Sequence, residues 1–185
     1  MKSALTPPAS TEYAPFYAGY IETVLASDVP TVLARQPDLL QEACAGLTEE
    51  QALHRYAPEK WSVKEVVGHL VDAERIFSYR ALRIGRGDAT PLAAFDENLY
   101  VAAADFDRVP LGDLVDDFAT ARRQTLAILR GFGDEELRRI GTASGRPVSA
   151  RAVFYIMAGH VRHHLRLLDS RYGLRVSPEE LPPTP

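Results

Sequence analysis

The chain has 185 residues with a net charge of −4, and 46% of its residues are hydrophobic. This size and apolar content predict one domain with a core, and a single cysteine excludes an internal disulfide. The acidic balance argues against a nucleic-acid partner and no apolar run approaches the roughly 18 residues of a membrane helix, so we expect a cytoplasmic protein without membrane contact.

Residues 1–27 open with a proline-containing polar stretch and continue with aromatic side chains. The aromatic residues are Tyr13, Phe16, Tyr17 and Tyr20. We expect an N-terminal arm that packs either on the domain or on a partner subunit. The first helix is predicted to begin near Asp28, a favourable N-cap residue, and Pro37 is expected to bend or break it.

Three further helices are indicated by apolar residues at helical spacing. They are predicted at residues 62–85, 111–131 and 149–173. The first of these has the clearest start, because Ser62 and Glu65 form a capping-box pattern. Glycines follow the predicted C-terminal ends, where they favour helix termination.

Strand signals are few, so we predict an all-α four-helix bundle over residues 28–173. Residues 88–110 form a long connection between the second and third helices, which is typical of a crossover or a functional loop. Residues 174–185 contain four prolines and are expected to be a flexible tail.

Histidines are concentrated on two of the predicted helices. His160 and His164 lie four residues apart on the fourth helix and project from one face, along the apolar seam. His69 shares an apolar face of the second helix. His163 is rotated off the seam by about 60°, so we expect it at the edge or outside.

Two interpretations of His69, His160 and His164, hereafter the histidine trio, follow from this pattern. Each could be a hydrogen-bonded core histidine, or the three rings could hold one metal ion. Imidazoles among Val, Met and Leu side chains are difficult to satisfy with hydrogen bonds, which raises the weight of a metal site without deciding for it.

Three segments together carry a family resemblance. They are residues 61–75, Phe95–Asn98 and Gly159–His164. In combination they resemble the DinB/YfiT-like superfamily of metal-binding four-helix bundles, most closely its YfiT-like branch, over about residues 13–173. The resemblance implies that the histidine trio provides the metal ligands. It also implies a homodimer that acts on a small-molecule substrate by metal-dependent hydrolysis or by transfer of a low-molecular-weight thiol such as bacillithiol.

The ligand set implied by this resemblance has a defined chemistry. Three neutral imidazoles leave a divalent ion its full charge and at least one open position, the arrangement of catalytic rather than structural zinc. We expect one divalent transition metal ion, zinc first, with nickel, manganese or iron as alternatives because histidine discriminates poorly among them. Such an ion would lower the pKa of a water or bind a thiol as thiolate.

No motif identifies an acid–base residue. The candidates are Asp72, one turn after His69, together with Asp96 and Glu97 in the long connection. We expect each of them to be an ordinary surface carboxylate rather than a catalytic group, and the same of Glu74.

Four arginines are also expected at the surface. Arg162, beside the trio, could attract an anionic substrate, but we expect an exposed ion pair. Arg80, Arg83 and Arg86 are spaced along one helix face, which is usually solvated.

The competing interpretation is a non-catalytic bundle, which binds metal for stability or acts as a stress-related interaction module. An enclosed, four-coordinate ion without an adjoining cavity would favour that role.

Overall fold

Residues 5–176 are described by the structure, a computed structural model, and they are mainly helical. The α-helices are α1 (Ala18–Glu22), α2 (Val29–Cys44), α3 (Glu49–Ala52), α4 (Val63–Gly85), α5 (Glu97–Ala104), α6 (Leu111–Arg130), α7 (Asp134–Arg138) and α8 (Ala150–Tyr172). The strands are β1 (Ile140–Ala143) and β2 (Arg146–Ser149), and single turns of 3₁₀ helix span Ser10–Glu12, Pro15–Tyr17 and Phe106–Arg108. Within residues 5–176, no helix is long and apolar enough to cross a membrane.

The predicted all-α four-helix bundle is confirmed, with α2, α4, α6 and α8 as its long helices. Both α2 and α4 pack against α6 and α8. The long connection between α4 and α6 holds α5 and the last 3₁₀ turn, and both contact α4. This connection therefore covers one side of the helix that carries His69.

The starts of α4 and α8 lie where the sequence predicts them. Ser62 Oγ accepts from the Glu65 backbone N at 3.0 Å, and Glu65 Oε2 accepts from the Ser62 backbone N at 2.7 Å, which completes the capping box. Ser149 Oγ accepts from the Ala152 backbone N at 3.1 Å. Fixed starts set the depth of each helix in the bundle, and with it the height of its histidines.

Pro37 does not break the first helix, because α2 continues from Val29 to Cys44; that it bends the helix stays a prediction. Proline has no N–H, so the carbonyl of Leu33, four residues earlier, loses its helical donor. Arg122 of α6 replaces that donor, since its Nη1 lies 2.9 Å from Leu33 O. A side chain from another helix thus satisfies the group that proline leaves unpaired.

A buried polar layer crosses the bundle at the level of that contact. Arg122 Nε and Nη2 lie 2.6 and 2.8 Å from the two carboxylate oxygens of Glu74, and Thr125 Oγ1 donates to Glu74 at 2.6 Å. Gln36 accepts from Arg122 at 2.7 Å and donates to Ala158 O at 2.7 Å. The layer joins all four long helices and separates two apolar clusters, which lie on either side of it.

Glu74 is therefore not the surface carboxylate expected from the sequence. Its exposed fraction is 2%, and that of Arg122 is 0%. The single-helix pattern could not reveal this, because the partner lies on a different helix and 48 residues away.

The N-terminal segment packs along α8. A Cβ placed on Gly159 would lie 2.0 Å from Tyr20 O, so this glycine is what lets α1 approach α8 so closely. Glu12 pairs with Arg151 through Oε2 and Nε at 2.7 Å, and Tyr155 OH donates to Leu5 O at 2.9 Å. The segment thus contacts its own chain, while the boundary of an arm at residue 27 stays a prediction.

A β-hairpin precedes α8, an element that the sequence analysis did not predict. Strands β1 and β2 pair antiparallel from Ile140↔Ser149 to Ala143↔Arg146, and Ser144 and Gly145 form the turn at positive φ. The backbone of Leu92 joins the hairpin through hydrogen bonds to Thr142 O and from Ser144 N. Four-residue strands that contain glycine and proline carry little strand signal, so the sequence does not predict them.

The predicted tail begins at residue 174. Leu174 and Val176 are buried against the apolar cluster nearest the C-terminal end of α8. Residues 177–185, the rest of that expected tail, lie outside the described part of the chain.

Candidate metal centre

The histidine trio converges on one point between α4 and α8. His160 Nε2 lies 3.0 Å from His69 Nε2 and 3.2 Å from His164 Nε2, and one ring nitrogen of each residue lies within 4.8 Å of the others. All three side chains are buried. The four-residue spacing on α8 and the cap at Ser62 therefore produce a shared site from two helices.

Hydrogen bonding alone does not satisfy this cluster. A neutral imidazole nitrogen either donates or accepts, so His160 Nε2 cannot serve both neighbours with full hydrogen bonds. Nitrogens about 2.05 Å from a tetrahedral zinc ion lie about 3.3 Å apart, close to the two separations above. The trio fits a cation that uses all three lone pairs.

Burial sets the protonation of the rings. Desolvation lowers the pKa of His69 to about 4, with a smaller contribution from His163. Desolvation also lowers the pKa values of His160 and His164 well below 6.5, and neighbouring histidines add to the effect. Neutral rings keep the lone pairs that a metal requires.

One histidine of the trio has a second ring nitrogen that is buried without a partner in the described part of the chain. His164 Nδ1 is fully enclosed and has no hydrogen-bond partner among residues 5–176. Metal-ligating histidines usually donate from the second nitrogen, which fixes their tautomer. The ring of His164 is therefore held by packing rather than by such a donor contact.

A cavity of about 710 Å³ adjoins the trio. Its walls come from the N-terminal segment, α4, residues 94–97, the hairpin and α8. Aromatic rings surround the histidines within it: Trp61 lies 4.9 Å from His69 between centroids, and Tyr20 and Phe77 lie 5.5 and 5.9 Å from His160. A small molecule in this space would contact the trio from an apolar enclosure.

The sequence model of the DinB superfamily matches residues 33–168. The chain belongs to the DinB superfamily. Among DinB relatives, a Geobacillus thermodenitrificans protein named "Putative metal-dependent hydrolase" is 25% identical over 132 residues, which are 69% of this chain and 73% of that protein.

Two solved structures share the DinB-type fold. YfiT from Bacillus subtilis, described as "a probable metal-dependent hydrolase with an unusual four-helix bundle topology", has a TM-score of 0.72 and 18% identity, covering 91% of this chain and 94% of YfiT. The mycothiol-dependent maleylpyruvate isomerase has a TM-score of 0.68 and 13% identity, covering 89% of this chain and 67% of that enzyme. At these identities the likeness establishes the fold.

The three carboxylates predicted from the sequence of this DinB protein occupy different environments. Glu97 lines the cavity. Asp96 caps α5, because its Oδ1 accepts from the backbone N of Asn98 and Leu99. Asp72 is half-buried outside the cavity, burial raises its pKa, and its carboxylate lies 4.0 Å from Arg75. The structure therefore brings Glu97, and not the other two, to the space beside the trio.

Two arginines differ from their expected surface positions. Arg162 is 5% exposed and donates through Nη1 to Thr23 O, so it ties α8 to the N-terminal segment. Arg80 is 3% exposed and lines the cavity. His163, in contrast, is exposed at the cavity edge as expected.

Sequence reasoning missed Tyr20, Trp61 and Arg80 as residues of the cavity. Arg80 did carry a signal, because 11 residues after His69 is about three helical turns and returns to the same face of α4. Tyr20 carried none, since its position depends on how the N-terminal segment packs on α8.

Proposed function

We propose that this DinB protein is a metal-dependent enzyme in which His69, His160 and His164 hold one divalent transition metal ion. The observation that carries the proposal is the convergence of three buried ring nitrogens at the wall of a cavity. Zinc is the favoured ion, and nickel, manganese and iron suit the same ligands. The names of the Geobacillus thermodenitrificans relative and of YfiT support metal dependence.

Three protein ligands and an adjoining cavity favour a catalytic role over the competing structural or stress-related interaction role. A structural ion is usually enclosed by four protein ligands, whereas a catalytic ion keeps an open position. The ion would supply Lewis acidity that lowers the pKa of a coordinated water or thiol. We therefore propose nucleophilic attack on a small-molecule substrate.

The chain's own residues would prepare that attack. The rings of Trp61, Tyr20 and Phe77 lie against the trio and would limit the access of bulk water, which strengthens electrostatic interactions. Glu97 lines the cavity, and its carboxylate would accept the proton that the incoming nucleophile loses. Burial holds the three imidazoles neutral throughout.

Two nucleophiles suit this site: water, which makes the protein a hydrolase, and a low-molecular-weight thiol, which makes it an S-transferase. The thiol dependence named for the maleylpyruvate isomerase favours keeping the second. Turnover of a small electrophile with and without a bacillithiol-type thiol separates them. Product formation without thiol favours hydrolysis, and strict dependence on thiol favours transfer.

The metal ligation is tested by elemental analysis of protein purified without chelator. We expect one divalent ion per chain, its loss in His164→Ala, and retention in His54→Ala, whose ring is exposed. His164→Ala should abolish activity while the fold persists. A metal-free wild-type protein would contradict the proposal. If His164→Ala lowered the melting temperature without reducing activity, the structural role would be favoured. The homodimer and the cytoplasmic location stay predictions.

A further inference from the structure

Arg80 is a buried cation whose described partners are all uncharged. Its exposed fraction is 3%, and its polar contacts within residues 5–176 are Ala93 O at 2.7 Å and Ser144 Oγ at 3.1 Å. Charged side chains are rarely buried without a countercharge, because desolvation of the charge is costly. The countercharge of Arg80 is therefore absent from the described residues.

The hydrogen bonds that Arg80 makes within the described fold use only one of the three guanidinium nitrogens. Both hydrogen bonds are donated by Nη2, to the long connection and to the hairpin turn. Nε and Nη1 carry three more N–H groups without a partner in this part of the chain. They are not sealed, because the fully enclosed unpartnered side-chain atom among the described residues is His164 Nδ1. Arg80 lines the cavity, so a molecule inside it can come within reach of this guanidinium.

The surroundings of Arg80 suit an anion. Arg146 on β2 lines the same cavity and adds a second positive charge. The rings of Phe77 and Phe95 each lie 5.7 Å from the Arg80 guanidinium carbon and shield it from water. Glu97 lines the same cavity and is the opposing charge there.

Arg80 and the histidine trio lie close enough together for one small molecule to contact both. The guanidinium carbon of Arg80 lies 5.7 Å from the Phe77 centroid, and the His160 centroid lies 5.9 Å from the same point. Arg80 is therefore no more than about 11.6 Å from the His160 ring.

We propose that Arg80 and Arg146 form an oxyanion-binding subsite, so that the substrate of this enzyme carries a carboxylate or similar oxyanion distant from its reacting atom. The inference rests on the proposed function for its substrate, although the subsite itself can be measured without the metal. Guanidinium groups bind carboxylates through paired, charge-assisted hydrogen bonds, which is the contact that Nε and Nη1 can still make.

The test compares 4-phenylbutyrate with its neutral amide, 4-phenylbutyramide, by calorimetric titration of the full-length protein. We expect the carboxylate to bind at least about tenfold tighter, both as purified and after chelator treatment. Equal affinities, no detectable carboxylate binding, or a preference that disappears with the metal would overturn the subsite. A protein that contains no metal as purified would contradict the proposed function and leave this preference intact.

Variants assign the preference to its residues. Arg80→Gln and Arg146→Gln should each reduce the ratio of affinities several-fold, whereas Arg123→Gln, the same charge change on the exposed face of α6, should not. If Arg80→Gln fails to fold, Arg80→Lys retains the charge and should keep a reduced preference. Arg146 is exposed, so Arg146→Gln should fold. The assignment would be refuted if the ratio of carboxylate to amide affinity stayed unchanged both in Arg146→Gln and in a folded Arg80 variant.

Discussion

The buried pair of Glu74 and Arg122 makes a sharp prediction about stability. Glu74→Met would leave Arg122 without a countercharge at 0% exposure and would remove the shorter of the two hydrogen bonds of Thr125 Oγ1. Breaking one side of a buried ion pair costs about 3–5 kcal/mol, a large share of the roughly 5–15 kcal/mol that stabilises a domain. Arg122→Met should cost a similar amount, because it also frees Leu33 O.

The double variant Glu74→Met/Arg122→Met should be far more stable than two independent losses imply. With both charges gone, the cost is mainly that of the polar groups left behind, so the coupling energy should reach about 3 kcal/mol. Urea unfolding followed by circular dichroism on chelator-treated protein measures each value, since bound metal would add stability of its own.

The control is Arg123→Met, whose side chain is exposed and should change the free energy of unfolding by less than about 0.5 kcal/mol. Single variants that cost under about 1 kcal/mol would refute the account of the polar layer. Additive effects of the two substitutions would refute it equally, because they would mean that the two charges do not interact.

Three further predictions concern the N-terminal segment and the metal. Gly159→Ala should destabilise the protein by about 1–3 kcal/mol in urea unfolding, because its Cβ would meet Tyr20 O, whereas Gly19→Ala, with open space around it, should not. Arg151 lowers the pKa of Glu12 from 4.5 to about 2, so the stabilisation is complete above pH 4.5 and is lost as the pH falls toward 2. The difference in stability between wild type and Glu12→Gln should shrink over that range; a constant difference would contradict the assignment. Chelation should lower the melting temperature, and metal at 100 times its dissociation constant should restore about 2.7 kcal/mol; no change in melting temperature would count against binding to the folded state.

Local signals account for the parts of the fold that the sequence predicted. The capping box at Ser62 and the cap at Ser149 involve residues within three positions of each other, so both helix starts could be read directly. The four-residue spacing of His160 and His164 likewise predicted a shared face, and the structure adds that His69 reaches it.

The missed features depend on contacts between distant residues. The unbroken α2 at Pro37 requires Arg122, which lies 85 positions later in the chain, and burial of Glu74 requires the same arginine. The hairpin depends on its pairing and on Leu92 rather than on strand propensity. Such compensation becomes visible only when the helices are packed.

The helices that carry the histidine trio and the β-hairpin differ in how readily they accept substitutions. The trio lies on helices of the packed core, whereas Ser144 and Gly145 form the exposed turn of the hairpin and Arg146, the first residue of β2, is exposed beside it. Surface loops accept substitutions and insertions that a packed core rejects. Substitutions in this hairpin can therefore reshape one wall of the cavity while the histidine trio is left undisturbed.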